Sequence, residues 1–132
     1  MICLDSTFII DFLKNREEAI EAGAKIKEDV LMTTTINIFE ILFGILRKKQ
    51  ANHNKEIEGL MKFISGVTIL DFNYKSSVRA SEIASDLVKK GIPIETNDCL
   101  IAGTMLSNSC IRIITRDIEH FQRIKGIKVE GY

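Results

Sequence analysis

A three-layer α/β/α sandwich around a mostly parallel central sheet of four to five strands is the fold this sequence predicts, and three observations predict it. Short apolar runs alternate with segments of helical period along the whole chain, the order that builds a parallel sheet with helices on both faces. The first run, Ile2-Cys3-Leu4, is unbroken rather than alternating, as in a strand covered on both sides. That run delivers a carboxylate, Asp5, into the polar step Ser6-Thr7. Open α/β sheets bind ligands in the crevice beyond the carboxyl ends of their strands.

The elements follow in order. Phe8-Ile9-Ile10 and Phe12-Leu13 continue from Ser6 as a short helix, with the Ser6 hydroxyl expected to cap its first amides and Asn15-Arg16 to break it. From Glu17 to Lys27, Ala19, Ile20, Ala24 and Ile26 are interleaved with charge and predict a weakly amphipathic, exposed helix. Val30-Leu31-Met32 reads as a second strand, and Thr33-Thr34-Thr35 supplies caps for a helix over Ile36 to Lys49. Ile38, Phe39, Ile41, Leu42, Phe43, Ile45 and Leu46 cover most of that helix, which predicts burial on more than one side or a subunit interface. One narrow stripe is the exception, where Asn37, Glu40, Gly44 and Lys48 recur at helical spacing.

A polar linker from Lys48 to Lys55 leads to a helix carrying Ile57, Leu60, Met61 and Ile64, closed by Gly66, and Val67 to Leu70 reads as the third strand. Tyr74 to Lys90 is a helix expected to turn Val78, Ile83, Ala84, Leu87 and Val88 inward, with Lys89-Lys90 complementing the dipole at its end and Gly91 stopping it. Pro93 sits in an extended connector to Thr96-Asn97-Asp98, where another helix begins and runs to Asn108-Ser109. Ile111 to Ile114 is the fourth strand, Thr115-Arg116-Asp117 a turn, Ile118 to Arg123 a helical piece, and Ile127-Lys128-Val129 a small edge strand.

Composition narrows the function. The 132 residues suit a single domain over 1–132, with 45% hydrophobic and 27% charged residues, the proportions of an ordinary globular protein. With 18 basic and 18 acidic side chains there is no overall basic field to announce a nucleic-acid binder, so any such contact must rest on local patches. Cys3, Cys99 and Cys110 are odd in number and widely spaced in apolar runs, which fits reduced packing residues in a cytoplasmic protein rather than a disulfide framework or a paired-cysteine metal site. No secretory pattern opens the sequence and no apolar run approaches a membrane span. Neither glycine-rich phosphate loop is present, and no Ser or Cys has an evident His partner for covalent catalysis.

Four acids stand where solubility alone would not put them. Asp5 ends the first strand, Glu40 interrupts an apolar helix, Asp98 opens a helix, and Asp117 follows the fourth strand. Each has a plainer reading: Asp98 as a first-turn acid on the helix dipole, Asp117 as an N-cap, Glu40 as a partner of Arg47. Asp5 has the weakest such excuse, since an acid ending a buried strand needs a partner. Parallel strands point their carboxyl ends at one edge, so all four can converge there, and carboxylates forced together repel unless a cation sits between them. Mg²⁺ or Mn²⁺, hard ions with oxygen ligands, suit such a set and activate water for hydrolysis. Ser6 and Thr115 are placed to hold waters or a carboxylate behind it. Asp11, Asp71 and Glu95 read as ordinary surface charges, and His53 and His120 as solvated side chains.

Taken together, Ile2 to Thr7, Ile38 to Gly44, Gly91 to Ile94 with Asp98 to Ala102, and Ile114 to Asp117 with Phe121 resemble the PIN domain, in order and spacing across essentially the whole chain. The resemblance is closest to the short form found in VapC toxins of toxin–antitoxin pairs. It implies an Mg²⁺- or Mn²⁺-dependent endoribonuclease in which Asp5, Glu40, Asp98 and Asp117 hold the metal. Ser6 and Thr115 match positions where the family carries a hydroxyl or amide, and Asp117 falls at the position that varies most. It also implies a homodimer and a cognate antitoxin that occludes the cleft. On that reading a metal-activated water attacks an RNA phosphodiester in line, with Arg116 or nearby lysines on the flanking phosphates. Two other classes compete: a non-catalytic PIN-like module that binds RNA or protein through the same cleft, and a phosphoacceptor domain, for which Asp71 is suitable but the order of the other elements is not.

Overall fold

The sheet is built outward from β1 (Ile2–Leu4), all three of whose residues are buried. The computed structural model describes residues 1–49 and 52–132, so Gln50 and Ala51 of the expected linker lie outside the described residues. After β1 come α1 (Ser6–Leu13), α2 (Glu17–Lys25), β2 (Leu31–Thr34), α3 (Thr35–Leu46), α4 (Asn54–Ile64), β3 (Thr68–Leu70), α5 (Tyr74–Lys89), α6 (Thr96–Ser107), β4 (Arg112–Ile114), α7 (Ile118–Gln122) and β5 (Lys128–Glu130). The strands lie in the order β3-β2-β1-β4-β5, with every neighbouring pair parallel. The chain therefore leaves β1 toward one side and returns on the other at β4, so the switch point lies at the β1–β4 ends.

Alternation along β1 explains its unbroken apolar run. Ile2 and Leu4 enter one core with Phe8, Ile9, Ile41, Ile45 and Leu60 from α1, α3 and α4. Cys3 enters the other with Ile83, Leu87, Ile101, Met105 and Phe121 from α5, α6 and α7. Successive side chains point to opposite faces, and both faces are covered, which is the predicted three-layer arrangement. All three cysteines are free and buried.

Several boundaries and faces depart from the sequence reading. β2 runs on through Thr33 and Thr34, both fully buried: the Thr33 hydroxyl donates to the Leu4 carbonyl at 2.9 Å, and Thr34 closes the strand while capping α3 as expected, its hydroxyl accepting from the Asn37 amide at 3.2 Å. Their hydroxyls are satisfied within the fold, so β-branched threonines serve as strand residues there. Val30 is exposed and falls outside the strand. α3 ends at Leu46, short of Lys49. In α2 it is Ala22, with Ala19, that turns inward, while Ile20 is exposed. In α5 the buried stripe is Ser76, Ala80, Ile83 and Leu87, leaving Val78 and Val88 exposed rather than inward. α3 buries only Asn37, Ile41 and Ile45 and exposes Phe39, Phe43 and Leu46, so its excess apolar surface remains uncovered in the single chain.

The layer under the site depends on one close helix approach. α5 and α6 pack so tightly that a Cβ built on Gly103 would lie 2.6 Å from the Ala80 backbone nitrogen. Backbone cannot move aside as a flexible side chain does, so Gly103→Ala should force α6 outward. We expect a loss of about 1–3 kcal/mol of stability, read as a lower urea midpoint with unchanged slope. A midpoint equal to that of the parent chain would show that α5 and α6 are not held at this separation.

Candidate active site

Register places the first two site residues side by side. Leu4 pairs with Ile114 across β1 and β4, so Asp5 and Thr115 leave the sheet together, and the Asp5 amide donates to the Ile114 carbonyl at 3.1 Å. Asp5 is only 3% exposed. Its Oδ2 accepts from Thr115 Oγ1 at 2.6 Å and Thr7 Oγ1 at 3.1 Å, and its Oδ1 accepts from Asn37 Nδ2 at 3.0 Å. These are neutral donors, so they solvate the carboxylate without cancelling its charge.

Asn37 carries this arrangement into α3. Its side-chain oxygen accepts from the Thr34 amide and hydroxyl, while its side-chain nitrogen donates to Asp5 and, at 3.0 Å, to Ser6 Oγ. A primary amide offers two donors and two acceptor positions, and all four are used, which is how Asn37 can be fully buried. The Ser6 hydroxyl in turn donates to Glu40 Oε1 at 2.6 Å, one turn further along α3, and Asn97 of α6 donates to Glu40 Oε2 at 3.3 Å. Ser6 therefore holds a carboxylate instead of capping α1, whose N-cap, Asp5, makes no side-chain cap bond. Glu40 is not paired with Arg47, which lies over the Phe43 ring at 5.8 Å.

Asp98 is buried in the first turn of α6, with Nδ1 of His120 2.7 Å from its Oδ2. The expectation of a solvated His120 is thus overturned: α7 is anchored by fully buried Phe121 and sets the imidazole against the acid. Asp117 is exposed and makes no side-chain cap bond to α7, while its amide donates to Thr115 Oγ1 at 2.9 Å. Asp11, expected at the surface, is buried and bonded to Arg116 and to the Tyr132 hydroxyl. Arg116 is anchored at both ends, its amide donating to Thr7 Oγ1 at 3.1 Å.

The acids sense one another. Burial, opposed by the Thr115 hydrogen bond and reinforced by the charges of Asp98 and Glu40, pushes Asp5 up to about 6. Burial also raises Asp98; His120 opposes that rise, while Asp117 and Glu40 add to it. Hard oxygen donors whose charges repel are the chemistry that a divalent cation relieves. As the side chains stand, no three His, Cys, Asp or Glu among the described residues close around a point able to hold an ion. Two contributors were legible only in part from the sequence: Asn37 shares the stripe of Glu40, and His120 lies on the short helix after Asp117.

Comparison with known proteins gives a consistent family. The model of the PIN domain matches residues 2–127. A tRNA(fMet)-specific endonuclease VapC of Salmonella typhimurium is 27% identical over 130 residues, covering 98% of this chain and 96% of that protein. Among solved structures, VapBC-1 from nontypeable Haemophilus influenzae is similar with a TM-score of 0.82 and 28% identity, covering 99% of this chain and 98% of that one. VapBC2 from Rickettsia felis, bound to a DNA fragment from their promoter, is similar in fold with a TM-score of 0.87 at 23% identity, covering 100% and 99%.

The Asp11 cluster makes a pH-dependent prediction. Burial and the hydrogen bond to Asp11 push Tyr132 up to about 12, whereas an unfolded tyrosine ionises near about 10. A group raised in the fold contributes its stability in full below its unfolded value and loses it as pH rises through the folded one. An ultraviolet titration of the folded protein, whose only tyrosines are Tyr74 and Tyr132, should show one phenol ionising at about 12, and Tyr132→Phe should remove that step. If Tyr132 ionised at its ordinary value, its bond to Asp11 would not exist in solution.

Proposed function

The chain belongs to the PIN domain family, and on that premise we propose that it is a metal-dependent endoribonuclease, the toxin of a type II toxin–antitoxin pair, hydrolysing RNA phosphodiesters. The observation that carries the reading is Asp5, a carboxylate almost wholly buried at the switch point, solvated by neutral donors and pressed by Asp98 and Glu40. Similarity over nearly the full length to an endonuclease of Salmonella typhimurium supports it.

On this reading Asp5, Glu40, Asp98 and Asp117 would hold Mg²⁺ or Mn²⁺. When bound, such an ion supplies polarisation of a phosphoryl oxygen and a more acidic water. The protein's own groups prepare the place. Thr115 and Asn37 fix both oxygens of Asp5, Ser6 and Asn97 fix those of Glu40, and burial strengthens every charge interaction among them. Arg116, its guanidinium tethered by Asp11 but its side chain 60% exposed, is available to a phosphate flanking the cleft.

A cognate antitoxin and a second copy of the chain are the partners this reading calls for. VapBC complexes are among the similar structures. Surface suited to such partners lies on α3, where Phe39 and Phe43 stack in the open; a separate groove of about 550 Å³ is lined by residues of α1, α3 and α4. No helix among the described residues is long and apolar enough to cross a membrane, and the reading places the protein's action in the cytoplasm. One observation favours a second reading, a module that binds RNA without cutting it: no three of the metal-binding side-chain types are gathered around a point as they stand.

Asp98→Asn and Asp5→Asn decide between the two. An asparagine at position 5 can keep its oxygen toward Asn37 and turn its amide toward Thr115, so the fold should survive. We expect melting temperatures close to the parent's and a fall in metal-dependent cleavage of single-stranded RNA of at least about 100-fold, since the ion's contribution amounts to several kcal/mol. Folded Asp98→Asn that cleaves with added Mn²⁺ as fast as the parent would sink the assignment of the metal site to these acids. RNA shifted by the parent chain with no products under any divalent ion would establish the binding module.

A further inference from the structure

Of the three acids withdrawn from solvent, Asp5, Glu40 and Asp98, the last is the least supported, its carboxylate having a single hydrogen bond among the described residues: Nδ1 of His120, 2.7 Å from Oδ2. Asp5 has donors on both oxygens, and so does Glu40. Oδ1 of Asp98 has no hydrogen-bond partner among the described residues. We propose that His120 is a positioning residue for Asp98, holding Oδ2 with Nδ1 so that Oδ1 is the oxygen presented to the divalent cation of the site. This rests on the metal-dependent reading given above.

Three features of the structure support it. α7 is only five residues long, yet it is fixed at both ends: the Asp117 amide is bonded to Thr115 Oγ1 before it, and Phe121 and Ile124 are buried within and after it. The imidazole is thus carried on a pinned element. Secondly, Nδ1 can donate both in one neutral tautomer and in the cation, so the contact needs no particular charge state. Thirdly, ligating carboxylates that are themselves hydrogen-bonded keep one orientation, and losing such a partner typically weakens metal binding by about 10- to 100-fold. Without His120, a carboxylate in the first turn of α6 would be free to rotate both oxygens among competing positions. Burial and the charges of Glu40 and Asp117 already disfavour its ionised form, and the His120 hydrogen bond works against that.

A merely structural brace between α6 and α7 would use the same hydrogen bond, so ion affinity separates the two roles. Mn²⁺ binding to the metal-free full-length chain is measured by calorimetry and by the paramagnetic resonance of the free ion, with thermal melting alongside. The variants are His120→Phe, His120→Asn, Asp98→Asn and the double variant His120→Phe/Asp98→Asn, with His120→Leu in place of the phenylalanine variant if that fails to fold. His120→Asn keeps a donor close to the place of Nδ1. The expected result is about 10- to 100-fold weaker Mn²⁺ binding by His120→Phe, recovery to within a few fold by His120→Asn, and no further loss on adding His120→Phe to Asp98→Asn. Folded His120→Phe that binds Mn²⁺ as tightly as the parent or more tightly overturns the inference, as does an equal loss in the Asp98→Asn background, and both leave the metal reading standing. A parent chain that binds no Mn²⁺, or Asp98→Asn that binds it undiminished, removes the metal reading and this inference with it.

Discussion

Everything at the sheet edge follows from one constraint: a carboxylate at the end of a doubly covered strand must be solvated by the protein, because water scarcely reaches it. Asp5 is 3% exposed, and leaving an ionised group there without hydrogen bonds would cost several kcal/mol. The fold meets this with hydroxyls and an amide from three separate parts of the chain: Thr7 on α1, Asn37 on α3 and Thr115 after β4. Each donor pins its own element to the end of β1. The geometry of the candidate site is therefore largely a consequence of solvating one acid.

Such solvation is incomplete by design of its chemistry. Neutral donors stabilise a carboxylate but leave its charge in place, so burial first, and the charges of Asp98 and Glu40 with it, push the pKa of Asp5 up to about 6. A fold selected only for stability would put a lysine or arginine here, or an apolar side chain. Instead Asn37 spends its full hydrogen-bonding capacity on Thr34, Ser6 and Asp5, which rigidifies the edge while leaving the electrostatic deficit unrelieved. Rigid donors around uncompensated like charges are what a cation site needs before the cation arrives.

The large features of this arrangement were legible in the sequence for identifiable reasons. β1 announced itself because both its faces are buried, and three acids stood out by their places: Asp5 ends a buried strand, Glu40 interrupts an apolar helix and Asp98 opens a helix. Ser6 and Thr115 were expected to hold waters or a carboxylate; the Ser6 hydroxyl donates to Glu40 and the Thr115 hydroxyl to Asp5, although Ser6 was also expected to cap α1. What stayed hidden was mostly tertiary. Thr34 does cap α3, with Asn37 completing the capping box three residues on, but Thr33 belongs to β2 alone, where its hydroxyl donates to the Leu4 carbonyl, a partner no local pattern reveals. Val78 and Val88 lie on the wrong side of a helix whose buried stripe is set by the close approach of Gly103 to Ala80. His120 carries no periodic signal, since a five-residue helix is too short to show one, and Asp11 looks like any exposed acid until the chain's last residue folds back on it.

That return of the chain bears on the charge balance of the cleft. Arg116 follows Thr115 directly, and its amide is bonded to the same Thr7 hydroxyl that serves Asp5. An unrestrained guanidinium so close to an acidic cluster would be drawn onto it, since opposite charges within a few ångströms favour pairing. Asp11 prevents this by offering a carboxylate of its own one turn beyond Thr7 along α1. Burial works against ionising Asp11, but hydrogen bonds from Tyr132 and Arg116 outweigh it and hold its carboxyl below the usual range, so it stays charged and keeps the arginine. The Arg116–Asp11 pair thus leaves Asp5, Glu40 and Asp98 without an arginine partner while keeping one at the rim, where a polyanion's flanking phosphates could meet it.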